Sequence, residues 1–542
     1  MASKHYYWQN LADELVSRKI GSSEVVTFKN LPHNPYEILQ QTSHRYAEKT
    51  AIVDADHTAY TYGELIHLTD KFAGYLYDAY NIQRGEHVGI LLQTSVEYCI
   101  TFFALCKLGA VTVPLPVKYR QNEIVALASK ANIRVILCEG HQVEWFPKDK
   151  YITISTDRQT GGFAFRSLPD IVPDTDARGR LEDPVILMFT SGTTSQSKGA
   201  LLKNYNIMHA IVAYQKTLGI TNHDRTILAT PIYNITGLVA ILGLFIYVGG
   251  TLYLHRKFNP EQVLQCIIEN DVTFLHASPT VFSMLLDYRN DYPHIPSINS
   301  FACGSSNMPA ENIIRLKQWM PEADFHTVYG LTETSSPAAI FPTGAAESPY
   351  IGSSGVPIPG LEVKIIDEDE STLTHNKIGE VAVRGAVVLE CYYIGGEGSY
   401  TKDGWFKTGD LGYLNKDGYL YIVDRKKDMV NRGGEKICCF DVENAMHSIS
   451  GIIEAAVVGI PHPVYGEQPV AVVRLESGYS LTEDQIKEAL LPKLTKYKIP
   501  TQIRFVDSMI KTPNGKIDKR GIRASFHSLP MYSVTTKEDI NC

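Results

Sequence analysis

The residues best suited to chemistry form one run, Phe189-Thr190-Ser191-Gly192-Thr193-Thr194-Ser195-Gln196-Ser197-Lys198-Gly199. It follows directly on the apolar stretch Val185-Ile186-Leu187-Met188. Hydroxyls, backbone N–H groups and one ammonium can wrap a polyphosphate, because glycine admits positive φ and close backbone approach. The run is not a Walker A loop. That pattern needs glycine before the lysine and Ser or Thr after it, and here Ser197 and Gly199 hold those places.

Four more groups with chemical capacity follow in order. Tyr329-Gly330-Leu331-Thr332-Glu333 offers an aromatic face, a hydroxyl and a carboxylate in close succession. Lys407-Thr408-Gly409-Asp410 ends in an acid at a turn, and Asp424-Arg425 comes next. Lys511-Thr512-Pro513-Asn514-Gly515-Lys516-Ile517 closes the series with a lysine in a tight turn. Taken singly, Asp410 or Glu333 reads as a turn or capping acid, and Lys516 as a surface lysine. Their order along the chain favours a site.

These groups need a scaffold, and 542 residues exceed what a single core holds, so at least two domains are expected. Up to about residue 420 helical and strand-like stretches alternate, the pattern of mostly parallel sheets wrapped by helices. Residues 61–80 read as an amphipathic helix, 87–92 as a strand, 97–108 as a helix and 111–113 as the next strand. After about Gly352 short strands at 363–366, 380–384 and 419–423, punctuated by Gly, Pro and Asp, read as a small β-barrel-like subdomain. The charge run Asp424-Arg425-Lys426-Lys427-Asp428 then separates this region from a compact α+β stretch. That stretch has helices at 441–448 and 482–491 and strands at 455–458 and 470–475. The reading is an α/β fold, with a large N-terminal domain over 1–423 and a small C-terminal α+β domain over 424–542, the charge run suiting a hinge between them. Residues after about Ser525 are polar and read as a tail.

Bulk properties exclude some functions. A net charge of −8 argues against a nucleic-acid binder or an anionic-membrane binder, which need basic surfaces. The nine cysteines contain no C-x-x-C pair, so reduced, buried thiols in a cytoplasmic protein are expected. From Ile227 to Leu254 no formally charged residue occurs. Pro231, Asn234, Thr236 and Gly249-Gly250 interrupt that stretch, which reads as a buried helix (237–247) and strand (251–254), not a membrane span.

In order and spacing these motifs resemble the adenylate-forming (ANL) superfamily of acyl-CoA synthetases, luciferases and peptide-synthetase adenylation domains. The resemblance runs from Tyr60-Thr61-Tyr62-Gly63-Glu64-Leu65 through Gly109-Ala110-Val111 and Pro114-Leu115 to Lys516. It implies that Thr190, Ser191, Gly192, Thr193, Thr194 and Lys198 hold the β- and γ-phosphates of ATP. Gly304, Ser305, Ser306, Tyr329 and Gly330 would line the nucleotide slot. Thr332 would touch the α-phosphate, Glu333 would help hold Mg²⁺, and Asp410 with Arg425 would take the ribose. Lys516 would bridge the substrate carboxylate and the α-phosphate. The chemistry asks for such groups: a carboxylate attacking an anionic phosphate needs cations to offset repulsion and the charge on leaving pyrophosphate.

Three positions depart from the family pattern. Ser195 and Ser197 stand where Gly and Pro are common, and Asn234 stands where many relatives carry His or another aromatic residue. Amino-acid-activating relatives place an Asp beside that gate. Ile235 occupies the place here, and a buried ammonium without a partner would be costly. The resemblance therefore implies an acid without an α-amine, aryl or short-to-medium aliphatic, in a pocket including Tyr233, Asn234, Gly237, Cys303 and Leu331. Lys427 matches the family hinge. Rotation there would bring Gly433 and Gly434 to the adenylate, leaving room for a narrow thiol arm. The likeness of the Tyr233 to Gly237 segment to the CoA ligases implies that the thiol is that of CoA. The alternatives are a phosphopantetheinyl carrier protein, an amine acceptor, luciferase-like oxidation, or a nucleotide-binding protein without catalysis.

Overall fold

A computed structural model describes residues 8–156, 165, 168, 179–190, 197–306, 308–512 and 516–527. The chain separates into two compact units, Met1–Val423 and Asp424–Cys542.

The first unit holds two large sheets. One runs Tyr392–Ile394, Gly199–Lys203, Pro184–Phe189, Val111–Pro114, His87–Leu91, Val135–Cys138, Ile152–Ser155. Its strands are parallel from Pro184–Phe189 onward, and the Gly199–Lys203 and Tyr392–Ile394 edge is antiparallel. The other has nine strands, with Asp324–Tyr329, Ser300–Cys303, Phe274–Ala277, Arg225–Leu228, Thr251–Leu254 and Thr50–Val53 parallel in that order. Parallel sheets are covered on both faces, which is why strands such as Val135–Cys138 are apolar and buried throughout.

Local chemistry sets the helix ends. Thr61 accepts a hydrogen bond from the Glu64 backbone N–H while Glu64 reaches back to Thr61, so the expected helix runs Tyr62–Tyr80 from a capping box. Ser95 caps Val96–Leu108, which is buried on every face except near Glu97. The only other charged side chain of this helix, Lys107, pairs with Asp70 at 2.7 Å. The uncharged stretch after Ile227 breaks as expected. It forms strand Arg225–Leu228, a wide π-spaced helix Thr236–Gly243 running into Leu244–Val248, and strand Thr251–Leu254. Among the described residues no helix is long and apolar enough to cross a membrane. The turn-rich region after Gly352 supplies a four-stranded sheet of Leu361–Ile366, Gly379–Gly385, Phe406–Leu414 and Leu420–Arg425.

The second unit is built on one sheet with apolar side chains on both faces. Along Ile452–His462 and Gly466–Leu475, Ala455, Val457, Ala471 and Val473 join a core with Val442, Met446 and Ile486. Ala456, Val458, Val470 and Val472 join another core with Met509 and Ile522. The period-two alternation of a strand explains the split. Helices Cys439–His447 and Glu483–Leu490 belong to the first core, and Lys519–His527 to the second.

Candidate active site

The glycine- and hydroxyl-rich run joins two antiparallel strands, Pro184–Phe189 and Gly199–Lys203. Its mouth is closed by the Thr190 N–H donating to the Lys198 carbonyl at 3.0 Å. Ser191, Gly192, Thr193 and Thr194 lie outside the described residues, as does Ser195. Beyond them Ser197 is buried, and its carbonyl accepts from Lys130 Nζ at 2.5 Å. Lys198 is exposed. Its Nζ lies 5.1 Å from the centre of the Tyr392 ring and 3.4 Å from Ser399 Oγ.

Tyr329 ends a parallel strand, the end at which open α/β sheets bind ligands. Its hydroxyl donates to Asp410 Oδ2 at 2.7 Å. Asp410 is buried at 3% exposure, so a carboxylate withdrawn from water is fixed beside an aromatic face. The turn that presents it is held by Thr408, whose Oγ1 donates to the Val381 carbonyl and accepts from the Asp410 N–H. Gly304 follows the neighbouring strand Ser300–Cys303. A Cβ there would lie 3.0 Å from the Val328 carbonyl oxygen, so it packs against the strand that delivers Tyr329. Ser305 takes a left-handed conformation (φ 75°) and is half-buried, while Ser306 is exposed.

The turn after Tyr329 is tight. A Cβ on Gly330 would fall 1.4 Å from the Ser336 carbonyl oxygen, so the position admits only glycine. Thr332–Thr334 forms a 3₁₀ turn, with Thr332 Oγ1 4.0 Å from Met188 Sδ. Met188 belongs to the strand feeding the loop, so these two motifs meet. Glu333 Oε1 accepts from the Tyr392 hydroxyl at 2.8 Å, and its backbone carbonyl accepts from the Leu389 N–H. Burial, followed by the Glu333 charge, pushes the Tyr392 phenol far above its ordinary range, so it remains a proton donor.

The acyl-pocket residues expected from the sequence fall in three places. Tyr233 is buried, and burial followed by Tyr119 pushes its phenol up to about 12. Asn234 is half-buried and starts the helical turn, its carbonyl accepting from the Leu238 N–H. Gly237 is required by packing, since a Cβ would lie 2.7 Å from the Pro231 carbonyl oxygen. Cys303 is buried, and burial raises its thiol well above the usual range, which keeps it protonated and unreactive. Leu331 is half-buried against the main core.

The other expected residues belong to the second unit. Arg425 and Lys427 lie in a turn closed by the Asp428 N–H donating to the Arg425 carbonyl. Gly433 (φ 62°) and Gly434 (φ 93°) form the hairpin turn between Val430–Arg432 and Glu435–Ile437. The Gly433 N–H donates to the Tyr465 carbonyl at 2.7 Å. An added Cβ at Gly434 would meet nothing, so positive φ demands glycine there and crowding within the protein does not. Lys516 is exposed, and its carbonyl accepts from the Thr512 N–H at 2.7 Å.

Sequence reasoning missed three supports. Tyr392 and Lys130 carry no spacing signal toward the residues they touch. In the second unit an ion pair between half-buried side chains, 16% and 12% exposed, joins Lys519 Nζ to Glu443 Oε1 at 2.8 Å. Glu443 also accepts from the Val457 N–H, and Asp424 accepts from the Cys439 N–H at 2.6 Å nearby. Lys519 sits three residues beyond Lys516, so this pair anchors the helix that follows the candidate catalytic lysine. Among the described residues no three His, Cys, Asp or Glu side chains gather as a metal cage.

Comparison with known proteins gives consistent matches. The family described as AMP-binding enzyme matches residues 39–393, and the AMP-binding enzyme C-terminal domain matches residues 441–516. A 2-succinylbenzoate–CoA ligase of Bacillus velezensis is 30% identical, over 84% of this chain and 91% of that one. A feruloyl-CoA synthase of Amycolatopsis is 29% identical over 86% and 94%. The solved o-succinylbenzoate CoA synthetase of Bacillus subtilis, in complex with its acyl-adenylate intermediate, superposes with a TM-score of 0.79 at 27% identity, covering 93% of this chain and 100% of that one.

Proposed function

This chain belongs to the AMP-binding enzyme family, and on that premise we propose that it is an AMP-forming acyl- or aryl-CoA ligase whose substrate is a carboxylic acid without an α-amine. In the first half-reaction a carboxylate oxygen attacks the α-phosphorus of ATP, the bond to the β-phosphate breaks, and pyrophosphate leaves. In the second, the CoA thiol attacks the acyl carbon, and AMP leaves with the electron pair of the acyl–oxygen bond.

The observation that carries the reading is the hydrogen bond from Tyr329 to the buried Asp410. It sets a flat aromatic face beside a carboxylate able to accept from two vicinal hydroxyls, at the carboxyl end of a parallel strand. That combination suits adenine and ribose. Thr190 and Lys198 at the loop mouth would take the β- and γ-phosphates, and Thr332 the α-phosphate. Lys516 would hold the attacking carboxylate against the α-phosphate, and Arg425 would assist Asp410.

The residues also fit Mg²⁺. Glu333 has one oxygen occupied by Tyr392, and its Oε2 accepts no hydrogen bond among the described residues. Mg²⁺ is commonly held by one or two carboxylates together with substrate phosphates and water. When bound, it would neutralise charge on the phosphates.

Rotation about Lys427 would exchange Lys516 for the Gly433-Gly434 turn, where a narrow pantetheine arm could pass. Ile235 beside Asn234 favours an acid lacking an ammonium. The names of the relatives, ligases of 2-succinylbenzoate and ferulate, make aryl and arylalkyl acids the first panel to try. Eight unbridged thiols among the described residues suit a reducing cytoplasm.

The test is mass spectrometry of ATP, Mg²⁺, CoA and a mixed acid panel. Acyl-CoA with AMP is expected, and Lys516→Ala should bind ATP yet form adenylate roughly 10²–10³ times more slowly. An adenylate that persists beside CoA would move the acceptor to a carrier-protein thiol or an amine. Equal inertness of both proteins across the panel would overturn catalysis.

A further inference from the structure

We propose that Tyr392 is a positioning residue for adenylation: it ties the carboxylate of Glu333 and the ammonium of Lys198 to one rigid ring, so that the metal ligand and the phosphate-loop cation face the same polyphosphate. The proposal rests on the functional reading above, and it adds a residue outside every motif recognised in the sequence.

The geometry is built from the backbone upward. Strand Tyr392–Ile394 pairs antiparallel with Gly199–Lys203, the strand that leaves the phosphate loop, with Ala200 opposite Tyr392 and Gly199 opposite Ile394. The register irregularity between Gly199 and Ala200 lies beside Lys198. Tyr392 is thereby fixed to the exit of the loop by main-chain bonds, not by its side chain alone. The Gly395-Gly396 turn (φ 78° and 88°) then folds over the ring. A Cβ on Gly396 would fall 2.0 Å from Tyr392 Cδ2, and one on Gly395 would lie 3.4 Å from Lys198 Cγ. These glycines let the chain close on both side chains.

With the ring locked, its two functions separate. The hydroxyl donates to Glu333 Oε1 at 2.8 Å, which orients the carboxylate and leaves Oε2 for a cation. The π face lies 5.1 Å from Lys198 Nζ, within the range where an ammonium is attracted to an aromatic quadrupole. Glu333 and Lys198 carry opposite charges and come from different motifs. No salt bridge joins them among the described residues, and the tyrosine links them through its two distinct surfaces.

Tyr392→Phe removes the hydroxyl and keeps the face, and Tyr392→Leu removes both. Isothermal titration of ATP, with and without Mg²⁺, reads the proposal without the acid being known. For Tyr392→Phe, ATP affinity in metal-free buffer should match wild type, while the tightening produced by Mg²⁺ should shrink about tenfold. Tyr392→Leu should also weaken metal-free binding several-fold through Lys198. With a turned-over acid, Tyr392→Phe should lower the adenylation rate and raise the Mg²⁺ concentration for half-maximal rate. KM for the acid, and the rate at which CoA consumes preformed adenylate, should stay unchanged. Thermal unfolding within a few degrees of wild type would show that the fold is retained.

A wild-type response of Tyr392→Phe to Mg²⁺ would overturn the proposal, as would equal losses with and without metal. Wild-type protein that binds Mg²⁺ and ATP but adenylates no acid would count against the functional reading alone, with the binding arm still deciding the role of Tyr392.

Discussion

The bond between Tyr329 and Asp410 can be tested at one atom. Tyr329→Phe keeps the ring that would face adenine and deletes only the hydroxyl, 2.7 Å from Asp410 Oδ2. Asp410 is 3% exposed, so water cannot freely replace the lost donor. Hydrogen bonds to a charged group are worth about 1.5–3 kcal/mol. If that energy orients the carboxylate for ribose, ATP binding should weaken by roughly 10- to 150-fold, at 1.4 kcal/mol for each factor of ten. Binding of 2′-deoxy-ATP should weaken less, because it uses less of the carboxylate. The assay is titration of both nucleotides into wild type, Tyr329→Phe, Asp410→Ala and the double variant. Coupling between the two positions should exceed about 1 kcal/mol, as for residues in direct contact. An ATP affinity for Tyr329→Phe within twofold of wild type, with coupling below about 0.5 kcal/mol, would refute the reasoning.

Three further outcomes are expected. Gly330→Ala should cost about 3 kcal/mol or more, since its Cβ would fall 1.4 Å from the Ser336 carbonyl oxygen; thermal unfolding and nucleotide binding both read this. Lys519→Met should destabilise the second unit by about 2–4 kcal/mol by stranding Glu443, whose side chain is only 12% exposed, and adding Glu443→Gln should restore part of it in a thermal melt. His209 is buried between Thr27 and the Pro359 carbonyl, and burial lowers it to about 4. An unfolded chain takes up the proton near pH 6.5 and the folded one resists it, so stability should be full above 6.5 and fall toward pH 4, by up to about 3 kcal/mol. His209→Gln should flatten melting temperature against pH across that window.

Much of the frame was legible because strong local signals agreed. Thr61 with Glu64 marks a helix start by cap chemistry alone, and the unbroken apolar runs at 455–458 and 470–473 mark a sheet buried on both sides. The first of these two strands is longer than its apolar pattern, reaching His462 through Pro461, because its hairpin partner at Gly466–Gln468 extends it. Periodicity cannot see such a partner. The π spacing of Thr236–Gly243 was likewise invisible, and so was the close packing of Gly237 against Pro231 and of Gly243 against Ile211 within it. Within the candidate site, Tyr329 and Asp410 each stood in a recognisable motif, but their contact spans 81 positions and no spacing rule announces it. Tyr392 was missed altogether. Nothing between Glu333 and Tyr392 marks a relation, which arises only when an edge strand joins the sheet.

The turn from Tyr329 to Ser336 also bears on how such a protein could change its substrate over evolutionary time. Gly330 has no room for a single methyl, and Ser335 and Ser336 hold left-handed conformations at φ 55° and 98°. A backbone this crowded behaves as a fixed jig: insertions, deletions or bulkier residues would displace Glu333 and Thr332 together with the wall. If the proposed pocket holds, diversification is channelled into side chains that project from the jig, such as Leu331, and into the separate segment around Tyr233 and Asn234. On the proposed pocket, exchange of acids would leave its record as substitutions at those positions, with the turn from Tyr329 to Ser336 unchanged in length.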